Sequence, residues 1–354
     1  MTMIKRVLLL LFVLLVVSLA YLAIKPAPID PVAWEPPAPA AMVGPLAPNA
    51  KLAVAELIGQ GQIDGPEDIE TDTQGRVYGG TNAGTIVRVE DGKITTFADT
   101  GGRPLGLDFA PDGALIVADA KKGLLSVAPD GVVTLLTDSA DGLRFGFTDD
   151  VVVASDGVIY FTDASDKFGF GDHMLDLLEG RAHGRLLRYD PVSKATKVLA
   201  EGLYFANGVA LAKDESFVVI NETYRFRLAR HWLRGPKAGT TEPFGTELPG
   251  FPDGVSQSGR GTFWVAMFTV RNPAGDFLAP RPFLKKMVAN LPRFLWPKPE
   301  PYGLVIELDE TGAPIRSLHD ASGAYVEQVT SVHERGDRLY LGHLHRDRIT
   351  RVPL

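Results

Sequence analysis

The stretch Phe205-Ala206-Asn207-Gly208-Val209 decides how this chain is read. A short polar residue stands before a glycine, and an apolar strand follows. The same phrase recurs as Gly65-Pro66-Glu67-Asp68-Ile69, Arg103-Pro104-Leu105-Gly106-Leu107 and Phe147-Thr148-Asp149-Asp150-Val151. It returns as Phe251-Pro252-Asp253-Gly254-Val255 and Tyr325-Val326-Glu327-Gln328-Val329. Aligned on the apolar residue, the central position holds Glu67, Leu105, Asp149, Asn207, Asp253 and Glu327. Five of these six carry oxygen, and four are carboxylates.

Each phrase is followed by an Asp/Gly/Ser turn and an apolar or aromatic strand. Examples are Pro111-Asp112-Gly113 before Ala114-Leu115-Ile116-Val117, and Ser155-Asp156-Gly157 before Val158-Ile159-Tyr160-Phe161. That is hairpin chemistry. Third and fourth strands follow in most repeats, such as 185–189 with 196–199. Four strands at a period of about 40–45 residues predict a β-propeller, and six repeats predict six blades. A sandwich of irregular strands is the alternative, and it does not explain the sixfold recurrence. The early run 52–57 precedes any innermost strand, and the last repeat ends one strand short. The early run is therefore expected to complete the last blade and close the ring.

The fold class expected is all-β: a six-bladed propeller over 51–354, with inserts at about 166–183 and 273–300. Ahead of it, residues 1–25 form a cytoplasmic tip and a transmembrane anchor. Residues 7–24 are uncharged and span about 27 Å as a helix, close to a bilayer core of roughly 30 Å. Lys5 and Arg6 precede them, so the propeller is expected on the non-cytoplasmic side, periplasmic or extracellular/lumenal. A cleaved signal peptide is the alternative, with Ser18-Leu19-Ala20 as its exit; the apolar run is long for that. The Pro/Ala-rich linker 26–50 is expected to be an extended spacer.

The chain has 354 residues and a net charge of -7, which argues against nucleic acid as a partner. It has no cysteine, which excludes disulfides, zinc–thiolate sites and a cysteine nucleophile. Inner strands of a propeller line its axis, so Glu67, Asp149, Asn207 and Asp253 are expected to meet there. Oxygen donors without thiolate or imidazole suit calcium or magnesium rather than zinc or copper, and Ca2+, which takes roughly 6–8 oxygens, is the cofactor expected. Asp68 and Asp150, one residue on, are candidates to order those ligands from behind. Taken singly, each acid is an ordinary turn residue before a strand.

Several blocks resemble the strictosidine-synthase-like proteins, within the wider six-bladed group of paraoxonases, gluconolactonase/regucalcin and diisopropylfluorophosphatase. The resemblance rests on Gly65-Pro66-Glu67-Asp68-Ile69, Arg103-Pro104-Leu105-Gly106-Leu107, Tyr160-Phe161-Thr162-Asp163, the block 205–265 and Leu339-Tyr340-Leu341-Gly342. It implies two chemistries. The first is calcium-dependent hydrolysis of a small apolar ester or lactone, with Glu67, Asp149, Asn207 and Asp253 at ligand positions and Asp149 and Asp253 in catalytic roles. Asp149 stands where the group more usually has asparagine, and Leu105 where paraoxonases place a histidine. The second is amine–aldehyde condensation, in which Glu327 matches the acid–base glutamate of strictosidine synthase. That enzyme's histidine two residues earlier is Tyr325 here. A third outcome is a non-catalytic binding propeller.

The insert 277–299 mixes Phe277, Phe283, Phe294, Leu295 and Trp296 with Arg281, Lys285, Lys286, Arg293 and Lys298. Such a segment suits a membrane interface or an apolar lid. The insert 167–182 holds a short helical pattern and is expected to cover the channel. His343 and His345 are expected to be surface or packing groups.

Overall fold

The computed structural model describes residues 3–354. Six four-stranded antiparallel sheets are arranged as blades. Their innermost strands are Ile69–Thr71, Pro104–Phe109, Thr148–Val153, Ala206–Leu211, Gly250–Gln257 and Val329–Arg335. Five blades are built from consecutive strands. In the sixth the outer strand is Glu56–Ile58, taken from the start of the domain and paired antiparallel with Ile349–Pro353. Ring closure thus occurs as expected, a few residues later than the 52–57 run. Residues 51–54 turn instead, because Leu52 is drawn fully into the packing between the last two blades.

The sequence phrase has a structural counterpart at the axis. Pairing with the second strand slips at the central dipeptide in four blades, between Pro104 and Leu107, Thr148 and Val151, Ala206 and Val209, and Pro252 and Val255; in the sixth blade it slips further on, between Val329 and Ser331. Each bulge turns a side chain toward the axis that regular pleating would send elsewhere. The residue after the central position faces the next blade at close range. A Cβ on Gly208 would lie 2.4 Å from the Val255 nitrogen, and one on Gly254 2.4 Å from the Thr330 oxygen. Where that residue is aspartate instead, its carboxylate bonds the neighbour: Asp68 accepts from Leu107 N–H at 2.9 Å, and Asp150 from Val209 N–H at 2.8 Å.

Every blade junction carries such a staple. Asp108 accepts from Val153 N–H at 2.7 Å, Asn221 donates to the Asp253 carbonyl, and Ser256 donates to the Val332 carbonyl. The last junction, between the sixth blade and the first, is held by Thr330 donating to the Glu67 carbonyl at 2.6 Å and by His333 against Asp68 at 2.9 Å. Away from the axis, apolar clusters fill the gaps between blades, for instance Phe217, Phe244 and Phe263 between the fourth and fifth. Each large side chain fully buried there contributes about 1.5–3 kcal/mol.

Outside the propeller, α1 (Met3–Ile24) is a helix that is apolar beyond Lys5 and Arg6 and is long and apolar enough to cross a membrane. Residues 26–49 form no free spacer. They run as a strap across the propeller, with Ile29 and Leu46 buried. Prolines remove N–H groups but leave carbonyls, and the propeller supplies the donors. Lys285 donates to Val32 O at 2.8 Å, Arg271 to Pro37 O at 2.7 Å and Ser317 to Pro45 O at 2.8 Å. Trp34 lies on the Arg225 guanidinium at 4.2 Å. The two inserts carry three short helices, α2 (His173–Glu179), α3 (Pro273–Leu278) and α4 (Pro282–Ala289).

His333 generates a prediction. Burial alone would depress its imidazole, but the Asp68 carboxylate, its hydrogen bond and Glu70 hold it up at about 9. A raised folded value gives stability that is complete below the ordinary 6.5 and lost as pH rises through about 9. His333→Ala should cost about 3 kcal/mol in urea unfolding at pH 6. It should also flatten the decline of stability between pH 6.5 and 9 that the parent chain shows.

Candidate active site

Glu67, Asp149, Asn207 and Asp253 line one cavity of about 190 Å³, the last three of them at bulges. All four are buried, between 3% and 8% exposed. They come from four different blades. Their backbone is fixed as well as their side chains: Thr162 donates to the Asn207 carbonyl at 2.7 Å, and Thr330 and Asn221 hold those of Glu67 and Asp253. Phe205, two residues before Asn207, takes a left-handed φ of 57° and stacks on Tyr224 at 4.5 Å. Backbone strain of this kind is commonly stored beside functional groups.

The electrostatics follow from burial and like charge. The Glu67 carboxyl is pushed well up, first by burial and then by Asp253 and Asp149. The Asp149 carboxyl is pushed up by burial, then by Asp253 and Asp150. Asp253 rises to about 8 through burial, against a hydrogen bond from Asn207. Arg103 opposes part of this load. Its buried guanidinium bonds the Gly65 carbonyl at 2.9 Å and lies over the Phe170 ring at 5.7 Å. The walls are apolar: Leu105, Phe147, Phe205, Phe251 and Phe268 rise from the blades. α2 closes one side with His173 and Leu177, and Tyr224 donates to the His173 carbonyl at 2.9 Å. Burial lowers the His173 imidazole to about 4, so it is neutral at ordinary pH.

Glu327 does not join the group. Its carboxylate is ion-paired with Arg346 and stands outside the cavity lining. Phase in the repeat predicted convergence, but Arg346, nineteen residues on, draws the side chain away. His343 is a packing group: buried, it donates to the Glu327 carbonyl at 3.0 Å and meets the Thr350 hydroxyl at 2.8 Å. Asp68 and Asp150 lie behind the central residues, with His333, around a second small cavity. Arg103 and His333 were missed from sequence. Arg103 had a signal, since it belongs to one of the six phrases; His333 had none beyond its place on an inner strand.

Among the described residues, no three His, Asp or Glu side chains form a ready metal cage. The set nonetheless fits a hard cation in its chemistry. One buried oxygen, Asp149 Oδ2, has no hydrogen-bond partner, and the fourth donor is an amide oxygen rather than an acid. Three buried carboxylates of like charge are also costly without a counter-ion.

The arrangement defines a class: a six-bladed propeller whose axis ends in an oxygen-lined acidic site under aromatic walls. The strictosidine synthase family model matches residues 149–236, and the strictosidine synthase-like N-terminal model matches 44–89. The chain is 38% identical to the adipocyte plasma membrane-associated protein of Rattus norvegicus, over 97% of this chain and 99% of that one. It is 38% identical to strictosidine synthase-like protein 6 of Arabidopsis thaliana, over 89% of this chain and 85% of that one. Among solved structures it shares its fold with a gluconolactonase from Xanthomonas campestris (TM-score 0.63, 19% identity, 94% and 99% covered). It shares it also with a calcium-binding regucalcin from Agrobacterium tumefaciens (TM-score 0.60, 16% identity, 84% and 92% covered). The chain belongs to the strictosidine-synthase-like family, and these adipocyte proteins are its relatives.

A carboxyl with a raised folded value stabilises while protonated and loses that contribution as pH climbs through the raised value. Chelator-treated protein should therefore lose stability between pH 4 and about 8, the latter being the value for Asp253. Asp149→Asn removes one of the three charges. It should raise the unfolding free energy of chelated protein at pH 8 by about 1–2 kcal/mol. Chemical denaturation in EDTA across that range is the measurement.

Proposed function

We propose that this chain is a divalent-cation-dependent hydrolase of ester or lactone bonds, with Ca2+ as its ion. The observation that carries the reading is the buried set of Glu67, Asp149, Asn207 and Asp253 lining an aromatic-walled cavity. Those four would hold the ion, which when bound polarises an ester carbonyl and stabilises the negative charge that develops on its oxygen. The gluconolactonase and the calcium-binding regucalcin that share the fold support the same direction.

The remaining work falls to the chain's own groups. The apolar walls bind the body of a small apolar substrate and exclude bulk water, which strengthens every charge interaction at the floor. Asp253 takes the proton-transfer part. The Asn207 amide orients its carboxylate. As carboxylate it removes a proton from the attacking water while the oxygen bonds the acyl carbon. The same proton then passes to the departing alkoxide oxygen, and the carboxylate is restored. Asp149, with one oxygen free of any hydrogen bond, would contribute to the ion's shell. A condensing reaction resting on Glu327 finds no support, because Arg346 engages that carboxylate away from the cavity.

Aryl esters and lactones should be hydrolysed by the parent chain, and EDTA should abolish turnover with recovery on added calcium. Glu67→Gln and Asp253→Asn should each lower kcat/KM by about 100-fold or more. Turnover that ignores both the chelator and the substitutions would remove the basis for this function. Calcium binding by calorimetry with no turnover on a broad panel would instead mark a binding propeller.

A further inference from the structure

The cap formed by the second insert stands next to the end of α1. The Asn290 amide donates to Lys25 O at 3.0 Å and to Leu22 O at 3.4 Å, so it holds the last turn of the apolar helix. Below that contact Ile29, Phe168, Leu175 and Ala289 form a small core that Trp296 covers, binding strap, α2 and α4 into one body. The cap therefore lies where a bilayer crossed by α1 would reach its surface.

Its outer side is apolar where a soluble surface would be polar. Phe277, Phe283, Phe294 and Leu295 are 54%, 58%, 76% and 54% exposed. Phe294 and Leu295 sit on a short turn that is pinned rather than loose. Arg293 beside them donates to Gly171 O at 2.8 Å and pairs with Asp172 at 2.5 Å. Residues 273–299 hold five basic side chains and one acid, Asp276, which Arg271 neutralises at 2.8 Å. Arg281, Lys286 and Lys298 are exposed around the aromatic groups. Leu278, Ala279 and Pro297 of the same insert also line the cavity.

We propose that this cap docks on the membrane surface at the end of α1, with Phe277, Phe283, Phe294 and Leu295 in the interfacial layer and the exposed cations on the phosphates of lipid headgroups. Aromatic and basic groups placed together match both halves of such a surface, and each basic group near it strengthens the attachment. The cavity then opens beside the membrane, where apolar esters concentrate. The inference rests on α1 as a membrane span and is independent of the chemistry at the cavity floor.

The chain lacks cysteine, so single reporters can be placed on the full protein. Phe294→Cys, Phe283→Cys and Val192→Cys would each carry an environment-sensitive fluorophore, in nanodiscs of phosphatidylcholine with phosphatidylserine at one chain per disc. Val192 is the reference, being 94% exposed and outside the cap. The labels at 294 and 283 should shift to the blue and be quenched by bromine on the lipid chains, and the label at 192 should do neither. Adding Lys286→Glu and Lys298→Glu should reduce the quenching at 294 while the chain still inserts. Insertion with the 294 and 283 labels as wet as the 192 label overturns the docking. A blue shift that needs two chains per disc and escapes lipid quenching assigns the face to a second copy and overturns it as well. Failure to insert overturns the span and the docking together.

Discussion

The structure depends on crowding at the propeller axis. Six inner strands converge there, and in five of them the residue after the central position either vanishes or bonds. Glycine at 106, 208 and 254 lets the next blade approach to distances that a Cβ would forbid. Aspartate at 68 and 150 turns the same approach into a hydrogen bond to the neighbour's backbone. The two solutions make one continuous ring, completed between the sixth blade and the first by Thr330 and by His333. Bulges at these positions follow from the same squeeze, and they aim the central side chains inward.

That geometry creates the site as a by-product of the closure. Side chains that cannot point elsewhere are gathered where water is scarce, and three of the gathered groups are acids. Burial and mutual repulsion then hold their protons more tightly than usual. Arg103 relieves part of the load while its guanidinium bonds carbonyls of the first two blades and lies over the ring of Phe170 in the cavity wall. Apolar residues at the remaining central position, Leu105, and above it extend the dry environment to the mouth.

The strap and the cap connect this interior to the end of α1. Proline-rich chain exposes carbonyls without partners of its own, and cations of the propeller and inserts take them up. The result is a short, bonded path from the apolar helix to the rim, in place of a tether that lets the domain swing. Lys285 shows the strength of the arrangement: it is buried, its ammonium depressed to about 8 by burial and by Arg225, and it still serves a strap carbonyl.

The fold was legible because local chemistry repeats. Six copies of one phrase, each before a hairpin turn, leave few ways to bury so many short strands, and phase within the phrase brought Glu67, Asp149, Asn207 and Asp253 to one point. Phase alone could not tell that Glu327 would turn to Arg346, or that Arg103 would steady the acids from behind. Nor could it show that His333 would meet Asp68 across 265 positions. The proline-rich segment read as a spacer because its own residues hold no regular structure; the donors that fix it belong to distant blades. Sequence determined the elements and their order, since turns, bulges and apolar runs act over a few residues. Tertiary structure decided partners, charge states and the path of the strap, since those depend on which groups share a low-dielectric space once the ring has closed.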